Sequence, residues 1–259
     1  MNYVEELFGL SGKAAIIIGG AGVLPGQMAE GLARAGANVA LLDLNLENAR
    51  EKAREISAFD VKTLAIKVDA ASKQDIDNAK EQIEQEFGRV DIVINAPGIN
   101  SSTPFFDISE EEWEKILDVN LKSMFLSCQI FGKKMIEQGD GGSIINISSA
   151  SSGPPLSKVF TYGISKAGVN NLTQFLAREW ASHRVRVNAI APGFFPAEQN
   201  RKLLTKERTA AIFNHTAMRR FGEPEELVGT VIWLASDKAS SFVTGAIIRV
   251  DGGFSAMTI

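Results

Sequence analysis

Seven short apolar runs rich in β-branched residues recur along the chain, each separated from the next by a longer stretch of helical periodicity. That alternation dictates a parallel sheet covered on both faces, because strands buried on two sides read as continuous apolar runs and parallel neighbours need helical crossovers. The runs go from Ala14 to Ile18, Val39 to Asp43, Thr63 to Val68, Val90 to Asn95, Ser143 to Ile147, Val185 to Ile190 and Ile247 to Val250. Between the first two, Met28, Ala29, Leu32 and Ala33 form a stripe that one helix face can bury, and Gly36 stops that helix. Ser109 with Glu112 three residues on reads as a capping box opening a long helix toward Glu137, and Glu223-Pro224 reads as another helix start. The expected fold class is α/β: a doubly wound, seven-stranded parallel sheet with helices on both faces, in one domain over 1–259. The segment from Gly193 to Phe221 is too long for an ordinary connection and mixes aromatic, basic and polar residues. It is expected to be a substrate lid, at about 194–221, with short helices of its own.

Charge excludes one class of partner. The net charge is −4 and no Lys/Arg run occurs, so the electrostatic footprint of a nucleic-acid binder is missing. Cys128 stands alone and cannot form an intrachain disulfide, which fits a reducing compartment. No basic n-region with an apolar stretch opens the chain, and no run approaches the ~20 apolar residues of a membrane span. A cytoplasmic protein with no membrane and no metal is expected.

Directly after the first run comes Gly19-Gly20-Ala21-Gly22-Val23-Leu24-Pro25-Gly26, and a helix follows. A glycine-rich strand-to-helix turn lets backbone approach a pyrophosphate, whose charge is favoured by unpaired amides at a helix N-terminus. A tight turn with incidental glycines would look the same in isolation. Its company decides: Asp43 ends the second run at about the ~20-residue offset from which a carboxylate reaches the adenosine ribose hydroxyls. A carboxylate there repels the 2′-phosphate of NADP, and the next residues, Leu44, Asn45 and Leu46, offer no cation to offset it. NAD is therefore the expected cofactor, although an aspartate at a strand end can also be a plain turn former.

Tyr162 and Lys166 stand four apart in a helical stretch and so share one face. A phenol is a poor base near neutral pH, but an ammonium nearby, plus the positive nicotinamide of NAD⁺, favours the phenolate, which could take a proton from an alcohol or return one to a carbonyl. Such a pair also occurs on ordinary helix surfaces. Ser149 lies just beyond the fifth run, at the carboxyl edge where parallel sheets bind ligands, and its hydroxyl can hold a substrate oxygen beside Tyr162. Ser148, Ser151 and Ser152 fit by residue type; spacing favours Ser149.

With these pieces in place, the whole chain closely resembles the short-chain dehydrogenase/reductase family. The matching segments run in the family's order: the glycine turn, Asp43, Asp69, Asn95-Ala96-Pro97-Gly98, Asn120, Asn146 to Ser149, Tyr162 to Lys166, Asn188 to Gly193, and Asp251-Gly252-Gly253. The resemblance implies a Rossmann-type fold, a catalytic tetrad of Asn120, Ser149, Tyr162 and Lys166, and a homotetramer. It implies that Lys166 also holds the nicotinamide ribose and that Asn120 maintains a water linking Lys166 to solvent. The implied cofactor contacts are Gly20, Gly22, Val23, Leu24, Gly26, Asp43, Leu44, Asp69 with Ala70 at the adenine, Asn95, Ala96, Gly98, Ile147, Tyr162, Lys166, Pro192, Gly193 and Phe195. Three departures stand out: Leu24-Pro25 where the family has its middle glycine, Ala96-Pro97 in place of Asn-Ala, and Ala197 where many members carry a threonine.

Phe194-Phe195, Asn200-Arg201, His215-Thr216 and Arg220 to Leu227 resemble the family's sugar-acid and polyol branch, that of D-mannonate oxidoreductase (fructuronate reductase) and gluconate 5-dehydrogenase. A polyhydroxylated or anionic substrate would be met by Ser151, Lys158, Gln199, Asn200, Arg201, His215 and Arg219, each of which could equally be structural. The expected reaction is interconversion of a secondary alcohol and a ketone on a sugar acid, sugar or polyol. The alternatives are a 3-oxoacyl thioester reductase, against which Asp43 argues, and a redox-inert dinucleotide sensor, which would have no need of a polarised phenol.

Overall fold

The computed structural model describes residues 2–196 and 204–257. Seven strands form one sheet: β1 (Ala14–Ile18), β2 (Asn38–Asp43), β3 (Thr63–Lys67), β4 (Ile92–Asn95), β5 (Gly142–Ile147), β6 (Val185–Pro192) and β7 (Ile247–Val250). Their spatial order is β3-β2-β1-β4-β5-β6-β7, and every pairing is parallel. The order reverses at β1 and β4, which opens a crevice beyond their carboxyl ends.

Strand periodicity sorts the apolar residues onto two faces. Ile17, Leu41, Ile94 and Ile145 belong to one buried cluster, with Met28 and Leu32 of α2 (Val23–Arg34) and Ala49 and Ala53 of α3 (Leu46–Ile56). Their sequence neighbours Ile16, Leu42, Val93 and Ile144 belong to the other. There Ile76 and Ile83 of α4 (Lys73–Phe87), Phe131 and Met135 of α6 (Ser123–Gln138) and Ala177 of α7 (Phe160–Trp180) cover them. Each fully buried Leu, Ile or Met contributes on the order of 1.5–3 kcal/mol. Both faces are therefore needed to hold the strands flat against their crossovers.

Helix boundaries follow the local chemistry. Gly36, at φ +101°, terminates α2 as expected. Ser109 Oγ accepts from Glu112 N at 3.2 Å, but Glu112 does not complete the capping box. Its carboxylate instead accepts from Thr103 Oγ1 at 2.8 Å, tying the preceding loop to α5 (Glu110–Leu117). The long helix expected from Ser109 is interrupted by a π turn, Asp118–Lys122, before α6 begins. Glu223 caps a short turn, Pro224–Leu227, with a complete capping box, and the helix Val228–Ala235 follows. In the segment expected to be a lid, a helix spans Lys206–Asn214. Gln199, Asn200, Arg201 and Ala197 lie outside the described residues. No helix among the described residues is long and apolar enough to cross a membrane.

Candidate active site

A cleft of about 770 Å³ runs along the carboxyl edge of the sheet. Of the residues expected to contact a cofactor, Gly22, Val23, Leu24, Asp43, Leu44, Asp69, Ala70, Ala96, Gly98, Ile147, Tyr162, Lys166 and Phe195 line it. At its glycine turn, α2 starts at Val23 with Gly22 as an N-cap that offers no side chain to the first amides. Pro25 is accommodated in that first turn, where an amide would lack an intrahelical partner anyway. The open amides of Val23 and Leu24 are what a pyrophosphate requires. Asp43 is fixed at the end of β2: Oδ2 accepts from Ala21 N at 3.0 Å and Oδ1 from Asn45 N at 2.9 Å. One carboxylate thus braces the turn and lines the cleft. Asp69 Oδ1 accepts from Ala71 N at 2.9 Å, which holds the loop after β3 in place. The donor set and the volume of the cleft fit a dinucleotide.

Five expected contacts are not on the cleft surface. Gly20 serves packing: a Cβ there would lie 2.8 Å from Leu41 Cδ2. Gly26 packs at the Lys52 side chain, and Pro192 is buried at the end of β6. Gly193 lies against the Asp251 backbone, where a Cβ would approach Cα to 2.7 Å. Asn95 is fully buried, accepting from Ser127 Oγ at 2.5 Å and donating to Asn146 Oδ1 at 2.8 Å. Asn146 in turn donates to Thr173 Oγ1 at 2.9 Å. This chain joins β4, β5, α6 and α7 beneath the site, so Asn95 supports the floor instead of touching it.

Tyr162 and Lys166 project from one face of α7 toward the end of β5, with Lys166 Nζ 5.7 Å from the Tyr162 ring centroid. Lys166 is 3% exposed and donates to Ile147 O at 2.9 Å. Burial lowers its pKa to about 7. Burial also raises the Tyr162 phenol above its ordinary value, against a smaller lowering by the Ser149 hydroxyl. In the protein alone both groups lose water, and each resists its charged form.

Ser149 has a defined donor direction. Its Oγ accepts from Ser151 N at 3.2 Å and from Ser151 Oγ at 2.9 Å. A hydroxyl has two acceptor sites and one proton, so that proton is left for the phenol or a substrate oxygen. Ser151, 6% exposed, aims Ser149, a role that residue-type reasoning missed when it grouped Ser151 with substrate contacts.

Asn120 lies in the π turn, fully buried. Its Oδ1 accepts from Ile99 N at 2.8 Å, and its Nδ2 donates to Ile99 O at 2.9 Å and to Ser165 Oγ at 3.0 Å. It thereby fixes the loop after β4 against the turn of α7 that carries Lys166. Lys158, at φ +64°, lines a separate recess together with Ser151, Phe105 and Phe160. His215 lines another with Arg208, which the sequence reading did not single out. Arg208, Ile212 and His215 are spaced i, i+4, i+7 on one helix, a signal that was available in the sequence. Arg219 is exposed and lines none of these cavities, and Arg220 forms a bidentate surface pair with Glu226.

Fold and site together define a dinucleotide-binding α/β oxidoreductase with a Ser, a Tyr and a buried Lys at the carboxyl edge of its sheet. A family model described as enoyl-(acyl carrier protein) reductase matches residues 24–255. The chain is 36% identical to 2-dehydro-3-deoxy-D-gluconate 5-dehydrogenase of Escherichia coli, over 98% of this chain and 99% of that protein. A short-chain type dehydrogenase/reductase from Mycobacterium marinum superposes with TM-score 0.91 at 34% identity, over 99% of this chain and 100% of the other. A gluconate 5-dehydrogenase from Burkholderia cenocepacia, in complex with NADP and tartrate, superposes with TM-score 0.93 at 31% identity, over 99% and 100%. The chain belongs to the short-chain dehydrogenase/reductase family.

Proposed function

We propose that the protein interconverts a secondary alcohol and the matching ketone on a small polyhydroxylated substrate, a sugar acid, sugar or polyol, with NAD(H). The observation that carries this is the meeting of Ser149, Tyr162 and Lys166 beyond the end of β5, where Tyr162 and Lys166 line a cleft that fits a dinucleotide. Bound there, the dinucleotide accepts or supplies the hydride. Ser149 donates its free proton to the substrate oxygen and holds it beside the phenol. In the reductive direction, Tyr162 Oη gives its proton to the oxygen as the carbinol C–H bond forms; in the oxidative direction it takes the proton back. A phenol kept neutral by burial is ready for the first of these. Lys166 holds the nicotinamide ribose, Asn120 positions the loop and helix around it, and the segment 194–221 covers the substrate.

A panel of aldonates, uronates, ketoses and polyols offered with NAD(H) should change the absorbance of NADH for at least one sugar-derived member. Turnover confined to 3-oxoacyl thioesters would replace this substrate class, and no turnover with any would overturn the reaction.

Asp43 supports NAD over NADP, because none of the described residues lining the cleft is an Arg and a 2′-phosphate there would meet a fixed carboxylate. Asp43→Asn keeps an acceptor for Ala21 N while removing the charge. It should raise kcat/KM with NADPH by about 10-fold, equivalent to ~1.4 kcal/mol, and lower it with NADH. A wild-type preference for NADPH in steady-state assays would refute the assignment.

Phe125 on α6 and Phe175 on α7 expose 47% and 56% of their surfaces, and a shallow groove lined by Phe125 includes Leu176 and Trp180. That apolar strip supports a homotetramer assembled across these helices. The lone buried thiol of Cys128, pushed up to about 12 by burial, suits a cytoplasmic enzyme.

A further inference from the structure

We infer that the recess beside Phe194 is the subsite for the substrate's carboxylate, with Arg208 as the group that binds it; this rests on the proposed sugar-acid chemistry and specifies it. The recess, of about 390 Å³, carries two basic side chains, Arg208 and His215, and none of its lining residues is acidic. Its walls are otherwise apolar or small, among them Pro154, Leu156, Phe254 and the buried Ile212. His215 is held edge-on to the Phe254 ring at 4.7 Å.

Arg208 is half-buried, and its one side-chain partner is neutral: Nη1 donates to Ser157 Oγ at 2.9 Å. It forms no ion pair among the described residues. A guanidinium partly removed from water without a counter-charge is costly, and the cost is relieved by an anion that can take two of its parallel N–H groups. A carboxylate has that geometry. Elsewhere on the same segment Arg220 is already occupied by Glu226, so among its described residues Arg208 is the arginine available at this cavity.

The recess is placed to receive one end of a substrate held at Tyr162. Ile147 of β5 and Ile190 of β6 are paired neighbours, and Ser148 N donates to Ile190 O at 2.7 Å. Two residues beyond Ile147 stands Ser149, and four beyond Ile190 stands Phe194, on the same sheet edge. Phe194 lines the recess while the adjacent Phe195 lines the cofactor cleft, so the two spaces lie on either side of one dipeptide. The segment leaving Ser149 supplies Pro154 to Ser157 to the recess and then enters α7 just before Tyr162.

Arg208→Gln and Arg208→Lys test this with a matched pair of substrates, a hexonate and the corresponding hexitol. For Arg208→Gln, kcat/KM on the hexonate should fall by about 100-fold, mostly through KM, while the hexitol changes by less than about threefold; Arg208→Lys should recover part of the loss. Equal losses on both substrates, or no loss on the acid, would overturn the subsite. A second readout needs no turnover: calorimetric titration of the hexonate onto the NADH-saturated enzyme. If the wild type binds the acid, Arg208→Gln does not, and no substrate turns over, the subsite stands while the proposed reaction falls. If the wild type does not bind it, the subsite falls.

Discussion

Tyr162→Phe should lower kcat by about 10²–10⁴-fold in both directions, the range that a positioned proton donor contributes. Phenylalanine keeps the ring and its packing beside Lys166 and removes only Oη, so the dissociation constant for NADH, read by fluorescence, should change little. The two measurements together make the test. A loss of turnover with cofactor binding intact places the defect in proton transfer, and retained turnover removes Tyr162 from that role.

Lys166→Met should separate activity from stability. The variant loses turnover by a comparable factor, yet in the absence of cofactor it should be more stable at pH 7 than the wild type. The folded pKa of Lys166 is depressed from 10.5 to about 7, so between those values the unfolded chain carries a proton that the folded one lacks. Stability in that window therefore rises with pH, and the cost of burying the amine is present in full below pH 7. At ~1.4 kcal/mol per unit, less the hydrogen bond to Ile147 O, methionine should gain on the order of 2–4 kcal/mol. For a chain of this size that is a rise in Tm of about 2–4 °C per kcal/mol. Thermal unfolding from pH 7 to pH 10 should show a positive slope in the wild type and a flatter one in the variant. A less stable Lys166→Met at pH 7 would mean that the lysine is better solvated or better partnered than its position beside Ile147 indicates.

Much of the fold was legible because strand periodicity is a local property. β1 and β7 match their apolar runs to the residue, and the others differ by one or two positions at their ends. Helix stops at Gly36 and starts at Glu223 were legible for the same reason, since each rests on the conformational needs of a single residue. The π turn was not, because an apolar stripe running from α5 into α6 looks the same with one wider turn inside it. At the site, Ser149, Tyr162 and Lys166 were found by spacing. The partners that orient them were not, since which acceptor of Ser149 is filled by Ser151 depends on how a loop folds back. How strongly burial opposes charge on Lys166 and Tyr162 was not legible, because proximity can be read from a sequence and loss of hydration cannot. Asn95 illustrates the same limit: its place in a motif identified the position, and only the packing of β4 against Ser127 and Asn146 reveals that it looks inward. Arg208 was missed in a segment crowded with cations, although its helical spacing from Ile212 and His215 was readable there.

The wide turn at Asp118–Lys122 also limits how this part of the chain can change length. Each residue of a regular helix advances the side chains by about 100°. Regular winding of the same residues from Glu110 onward, without the wide turn, would therefore swing Phe131 and Met135 away from the strands they cover and carry Asn120 out of reach of Ile99 and Ser165. Insertions are expected to be tolerated in the exposed loops at the amino edge of the sheet, but not here, where one irregular step keeps a helix facing the core and a buried amide facing the chemistry.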